Sequence, residues 1–156
     1  MSENIYPATL LDRLREVHVY ITTPFTEDLT AVNSAALEAN LEGLVKRGVK
    51  ICAVGGGTGE ADALSHSEQL DIARIALQTV GEKALVVATL PGNLGEAIPL
   101  SRKYQEIGIE VVLALPPLVR GRPVVEVLGV AEYFKVLTQS TELPIMPYNN
   151  QAWPLD

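Results

Sequence analysis

Five short apolar runs, separated by longer segments of helical periodicity, constrain this chain more than any other feature. The runs are Val17-His-Val-Tyr-Ile21, Ile51-Cys-Ala-Val54, Ala84-Leu-Val-Val-Ala88, Val111-Val-Leu-Ala-Leu115 and Leu143-Pro-Ile-Met146. The middle three are almost uninterrupted in apolar residues, the pattern of parallel strands covered on both faces. The last holds Pro144, which has no amide to give a ladder and so suits a strand's first residue or an edge.

The intervening segments read as helices. Leu37, Leu41, Leu44 and Val45 fall on one helical face, and Gly48 is placed to stop it. Ser65-x-x-Glu68 is a capping box, opening a helix that carries Leu70, Ala73, Ala76, Leu77 and Val80 to Gly81. Asn93-x-x-Glu96 opens another, ending near Gly108. Pro99 lies inside it, removes a donor and crowds the carbonyl of Gly95, so a kink or a late start is expected. A fourth helix is expected over Val124–Ser140, and an N-terminal one over Pro7–Glu16.

A strand-then-helix pattern thus recurs roughly every 30 residues, the length of one β–α unit, with five strands in all. Strict alternation gives an α/β fold with parallel strands and right-handed crossovers. No linker, low-complexity tract or charge run divides the chain, so 1–156 reads as a single domain. Two architectures fit: an open doubly wound sheet, or part of a (β/α)8 barrel. Both bind ligands beyond the carboxyl ends of the strands.

Composition narrows the function classes. The formal charge of −7 argues against nucleic acid or an anionic membrane as partner. One Cys and two His do not supply the four Cys/His ligands of a structural zinc site, so no metal is expected. No apolar run reaches the 18 or more residues of a membrane span, and Met-Ser-Glu-Asn lacks the basic and apolar regions of a signal. A soluble cytoplasmic protein is expected.

The strand ends hold the candidate chemistry. The second run leads into Gly55-Gly-Gly-Thr-Gly-Glu60, where five small residues let the backbone turn tightly and present several N–H groups. Such a nest suits a carboxylate or phosphate, although a plain flexible turn has the same composition. It lacks the third small residue of a dinucleotide fingerprint and the Gly-Lys-Ser/Thr of a P-loop. Tyr148, after the fifth run, is either an acid–base group or a packing tyrosine with its hydroxyl satisfied at the rim. His18 reads as a core or rim histidine, His66 as solvent-facing and Cys52 as an inert buried thiol. Glu60 and Asp62 form either a carboxylate pair or the acids of a helix start. Lys46, Lys50, Lys83, Lys103 and Lys135 all fall on helices or before strands.

The ordered set Thr22-Thr-Pro-Phe25, Gly56-Gly-Thr-Gly-Glu60 and Tyr148-Asn149, with Leu64-Ser-x-x-Glu68 at a helix start, resembles the dihydrodipicolinate synthase / N-acetylneuraminate lyase family over about Val17–Asn150. The resemblance implies a partial TIM barrel, its first five β–α units in sequential order. It also implies a fold that is usually tetrameric, and lyase chemistry on pyruvate or another 2-oxo acid through a lysine Schiff base, with no cofactor. Gly57, Thr58 and the neighbouring amides would hold the substrate carboxylate, and Tyr148 would relay protons at the Schiff-base carbon.

The departures bear on substrate and activity. Dihydrodipicolinate synthases have a second Thr where Gly57 stands, an aromatic after the fourth-strand Pro where Pro117 and Leu118 stand, and an Arg near the place of Trp153. Gly-Gly-Thr-Gly-Glu and Leu-Pro-Pro look more like the 5-dehydro-4-deoxyglucarate dehydratase branch. The family's Schiff-base lysine lies one β–α unit beyond the tyrosine, and the sequence stops at Asp156. The expectation is therefore a lyase portion that is inactive alone. The alternatives are a non-catalytic half-length protein that binds a 2-oxo acid or pairs with a full-length relative, and an open sheet of strand order 2-1-3-4-5.

Overall fold

A computed structural model of the chain describes residues 8–117 and 127–149. Five strands form one parallel sheet: β1 (His18–Tyr20), β2 (Ile51–Val54), β3 (Leu85–Leu90), β4 (Val111–Ala114) and β5 (Ile145–Pro147). Their spatial order is the chain order, β1-β2-β3-β4-β5. This excludes the open doubly wound sheet, whose order reverses at a switch point, and fits part of a (β/α)8 barrel.

The period-2 alternation of the strands sorts their side chains into two cores. Cys52, Val54, Val86, Ala88, Leu90, Val112 and Ala114 face outward into a cluster with helix residues such as Leu41, Ile72, Ala76, Leu100 and Leu137. Ile51, Ala53, Leu85, Val87, Val111 and Leu113 face the concave side and form the second cluster. Both faces are covered, which is why the central runs are apolar throughout.

The helices are α1 (Ala8–Arg13), α2 (Ser34–Lys46), α3 (His66–Val80), α4 (Leu94–Ile107) and α5 (Val127–Gln139). In α1, Leu10 is 6% exposed and joins the concave cluster, with Leu14 against it. Arg13 grips Glu110 through two hydrogen bonds of 2.7 and 3.1 Å. Burying Leu10 contributes about 1.5–3 kcal/mol, whereas a half-exposed ion pair contributes about 0–1 kcal/mol. Apolar packing therefore dominates the seating of α1.

Local signals set the helix ends. Asn33 accepts from the Ala36 amide at 3.1 Å to cap α2. The Ser65–Glu68 capping box forms in full at the start of α3. Asn93 accepts from the Gly95 amide at 2.9 Å, and α4 starts at Leu94, so of the kink or late start expected from Pro99 the late start does not occur. Pro99 and Gly95 both lie on the exposed side of α4, where the freed Gly95 carbonyl meets water. Strand β3 runs two residues beyond the expected Ala88, bringing Thr89 and Leu90 into the sheet. The expected start of the fourth helix at Val124, and the expectations for Pro7, Leu118, Asn150 and Trp153, lie outside the described residues. Among the described residues, no helix is long and apolar enough to cross a membrane.

Candidate functional site

The glycine-rich segment after β2 is held by its neighbours on both sides. Gly55 leaves the strand at φ +66°, a conformation that costs other residues a Cβ clash. A 3-10 turn over Gly57–Gly59 follows, and Glu60 closes it in the left-handed region at φ +59°. On the β1 side, the Thr23 hydroxyl donates to the Gly59 carbonyl at 2.7 Å. The backbone approaches so closely there that a Cβ on Gly59 would lie 2.9 Å from the Ile21 carbonyl oxygen. On the β3 side, the Thr89 hydroxyl donates to the Val54 carbonyl at 2.9 Å, fixing the strand end from which the turn springs.

The turn's own hydrogen bonds run from the Gly59 amide to the Gly56 carbonyl (2.9 Å) and from the Glu60 amide to the Gly57 carbonyl (3.1 Å). They leave the N–H groups of Gly57 and Thr58 outside the ladder, on exposed residues. These amides are fixed positive dipoles at the carboxyl end of the sheet, the electrostatic requirement of an anion nest.

The turn borders a cavity of about 490 Å³ whose lining includes Tyr20, Gly57, Thr58, Asp62, Leu113 and Tyr148. The three predicted site residues Gly57, Thr58 and Tyr148 thus share one cavity. Tyr148 extends β5 by one residue, its amide donating to the Ala114 carbonyl at 2.9 Å. Glu60 and Asp62 also border the cavity, so two carboxylates stand beside the nest and partly oppose its field.

Tyr20 is a site residue that the sequence reading did not single out. Burial, and then the charge of a neighbouring Tyr148 phenolate, push the Tyr20 phenol above its ordinary pKa. The signal was present: in His18-Val19-Tyr20, alternation puts His18 and Tyr20 on one face. Which face that is depends on pairing with β2, where Tyr20 stands opposite the inward-facing Ala53.

The other candidates fall elsewhere. His18 bonds the Leu14 carbonyl at 3.0 Å near the opposite end of the sheet. His66 is half-exposed and meets Glu96 at 3.2 Å on the helix layer. Cys52 is fully buried in the outer cluster, and burial raises its thiol pKa. None of the five lysines borders the cavity. Lys50 and Lys83 line a depression beside Asp12 and Arg13 of α1, Lys46 pairs with Glu42, Lys135 with Glu132, and Lys103 lies on α4. Among the described residues, no group of three or more His, Cys, Asp and Glu is arranged to hold a metal ion.

Known proteins resemble this chain in sequence and in fold. The 4-hydroxy-tetrahydrodipicolinate synthase of Methanopyrus kandleri is 32% identical over 130 residues, covering 83% of this chain and 42% of that protein. The Helicobacter pylori enzyme of the same name is 31% identical over 137 residues, covering 83% and 44%. The chain therefore spans less than half the length of these curated relatives. Among solved structures, dihydrodipicolinate synthase from Aquifex aeolicus superposes with a TM-score of 0.80 at 27% identity, over 88% of this chain and 46% of that one. An N-acetylneuraminate lyase from Mycoplasma synoviae gives 0.80 at 19% identity, over 90% and 48%, a likeness of fold. Residues 13–153 match the dihydrodipicolinate synthetase family, and with sequence, strand order and strand-end motifs in agreement, the chain belongs to it.

Proposed function

We propose that this chain carries the substrate-anchoring portion of a 2-oxo acid lyase. The observation that carries the reading is the shared cavity of the Gly57–Thr58 amides and Tyr148. The amides would take the carboxylate of pyruvate or a longer 2-oxo acid, and the Tyr148 hydroxyl would move a proton at the neighbouring carbon. Lyase chemistry on such a substrate needs an amine that forms an iminium, the electron sink for bond cleavage. The five lysines of this chain lie away from the cavity, so none of them is placed to supply that amine.

A sugar-acid-derived 2-oxo acid, with the dehydratase outcome, is the substrate class we favour. Gly57 supports it: a Cβ built there meets nothing within 4 Å, so the turn leaves room for a hydroxylated chain. Calorimetric titration of pyruvate tests the anchoring, and treatment with pyruvate and borohydride tests the missing amine. Binding without a reduced lysine adduct by mass spectrometry is expected. Absence of binding would overturn the anchoring, and a stoichiometric adduct would overturn the assignment of the amine.

A second reading rests on the sheet edges. Among the described residues, β1 pairs only with β2 and β5 only with β4, so each has an open side where a full-length relative or another copy could pair. A monodisperse oligomer by light scattering supports that reading, and a monomer or an aggregate opposes it.

A further inference from the structure

Two phenols reach the same cavity from opposite edges of the sheet. Tyr20 is the last residue of β1, and its register with the inward-facing Ala53 directs it to the concave side. Tyr148 follows β5, beyond Met146 on the same concave side. Both border the cavity that holds the Gly57 and Thr58 amides.

The hydroxyl of Tyr20 differs from those of two other tyrosines in the fold. Tyr104 spends its hydroxyl on the Thr89 carbonyl at 3.2 Å, and Tyr133 on the Pro91 carbonyl at 2.8 Å. These bonds hold helices α4 and α5 to the end of β3. No hydrogen bond to a described residue engages the Tyr20 hydroxyl. Tyr20 is 39% exposed and borders this cavity, and it also borders a second depression beside Ala39 and Gly43 of α2 and Arg47 after it.

We propose that Tyr20 is a ligand-positioning residue, its hydroxyl donating a hydrogen bond to a 2-oxo acid anion held in the cavity, from the β1 wall. The proposal rests on the anchoring function above and adds a contact to it. Chemistry agrees with the geometry. A phenol whose pKa burial raises is neutral at physiological pH and so can donate. A donor is what an anion flanked by the Glu60 and Asp62 carboxylates requires. Tyr20 would then offset part of the repulsion from those two acids.

The test uses the full 156-residue chain with pyruvate as the probe. Tyr20→Phe keeps the ring and deletes only the hydroxyl. Pyruvate should bind Tyr20→Phe roughly fivefold more weakly, the worth of one hydrogen bond. The thermal unfolding midpoint should stay in place, because no protein hydrogen bond is lost. A spectrophotometric pH titration at the phenolate band gives a second readout. The Tyr20 component, taken as wild type minus Tyr20→Phe, should move to higher pH with saturating pyruvate, because a donated bond and a nearby anion both favour the neutral phenol. If the wild type binds pyruvate, but Tyr20→Phe binds equally well and the titration does not move, Tyr20 has no such role and the anchoring function stands. If the wild type does not bind pyruvate, both fall together.

Discussion

The Thr23 hydroxyl donates a 2.7 Å hydrogen bond to the Gly59 carbonyl, joining the segment after β1 to the turn after β2. Thr23 is 6% exposed and Gly59 is buried, so neither group has ready access to water in place of the other. Thr23→Val keeps the shape and leaves the Gly59 carbonyl without a donor. Such a loss costs about 1–3 kcal/mol. Urea unfolding should show that loss, and pyruvate affinity should drop as the turn loosens. Thr23→Ser keeps the hydroxyl and should recover most of both.

Two glycines of the turn should respond to alanine in opposite ways. At Gly59 the added Cβ would sit 2.9 Å from the Ile21 carbonyl oxygen and 3.2 Å from Thr23 Oγ1. Backbone must shift, and overpacking of this kind costs about 1–3 kcal/mol. At Gly57 nothing lies within 4 Å and the backbone is not left-handed. Gly57→Ala should change the melting temperature little. Equal melting temperatures for the two variants would contradict the close approach of the turn to Ile21.

The acids beside the nest set a salt-dependent penalty on anion binding. Glu60 and Asp62 are exposed, so their field acts through water and is screened over roughly 8–10 Å at physiological salt. Glu60→Gln and Asp62→Asn should each strengthen pyruvate binding, by roughly twofold at low ionic strength. The gain should vanish near 0.5 M salt, where screening is shorter than the separation of such charges. Calorimetric titration at the two salt concentrations checks it. A gain that persists at high salt would mean that these side chains obstruct the cavity sterically.

What the sequence discloses here depends on how local the determining interaction is. Ser65 and Glu68 are three residues apart and satisfy each other, so the start of α3 is legible without any tertiary information. Gly57, Thr58 and Tyr148 are legible as candidates because strand ends in an α/β fold are where ligands bind. Their convergence on one cavity depends on the strand order. Apolar periodicity reports burial and not neighbours, so it left two architectures open. Tyr20 and Thr89 show the limit more sharply. The side of the sheet that Tyr20 faces follows from its register with Ala53, a partner 33 positions away along the chain. Thr89 lies past the expected end of β3, in a strand held by pairing with Leu113 rather than by its own hydrophobicity. Of the kink or late start expected at Pro99, the late start did not occur, because the Asn93 cap sets the start of α4 at Leu94.

The capping box of α3 should make stability depend on acid pH with a definite sign. The Ser65 hydroxyl donates to the Glu68 carboxylate at 2.7 Å, the Ser65 amide donates to the same oxygen at 2.9 Å, and the Glu68 amide donates back to the hydroxyl at 3.3 Å. The first two bonds favour the ionised acid and hold the Glu68 pKa below its ordinary value. A carboxyl group depressed in the folded state contributes stability above its unfolded pKa and loses it as pH falls through the folded one. Ser65→Ala should therefore cost about 1 kcal/mol at pH 7, the usual worth of an N-cap. The difference from wild type should narrow below the ordinary glutamate pKa, about 4.3, as Glu68 takes up a proton. A residue should remain at the lowest pH, because the bond from the Glu68 amide to the serine oxygen does not titrate. Urea unfolding of the two proteins between pH 7 and pH 3 measures it, and a gap that widens on acidification would contradict the assignment of Glu68 as the titrating partner.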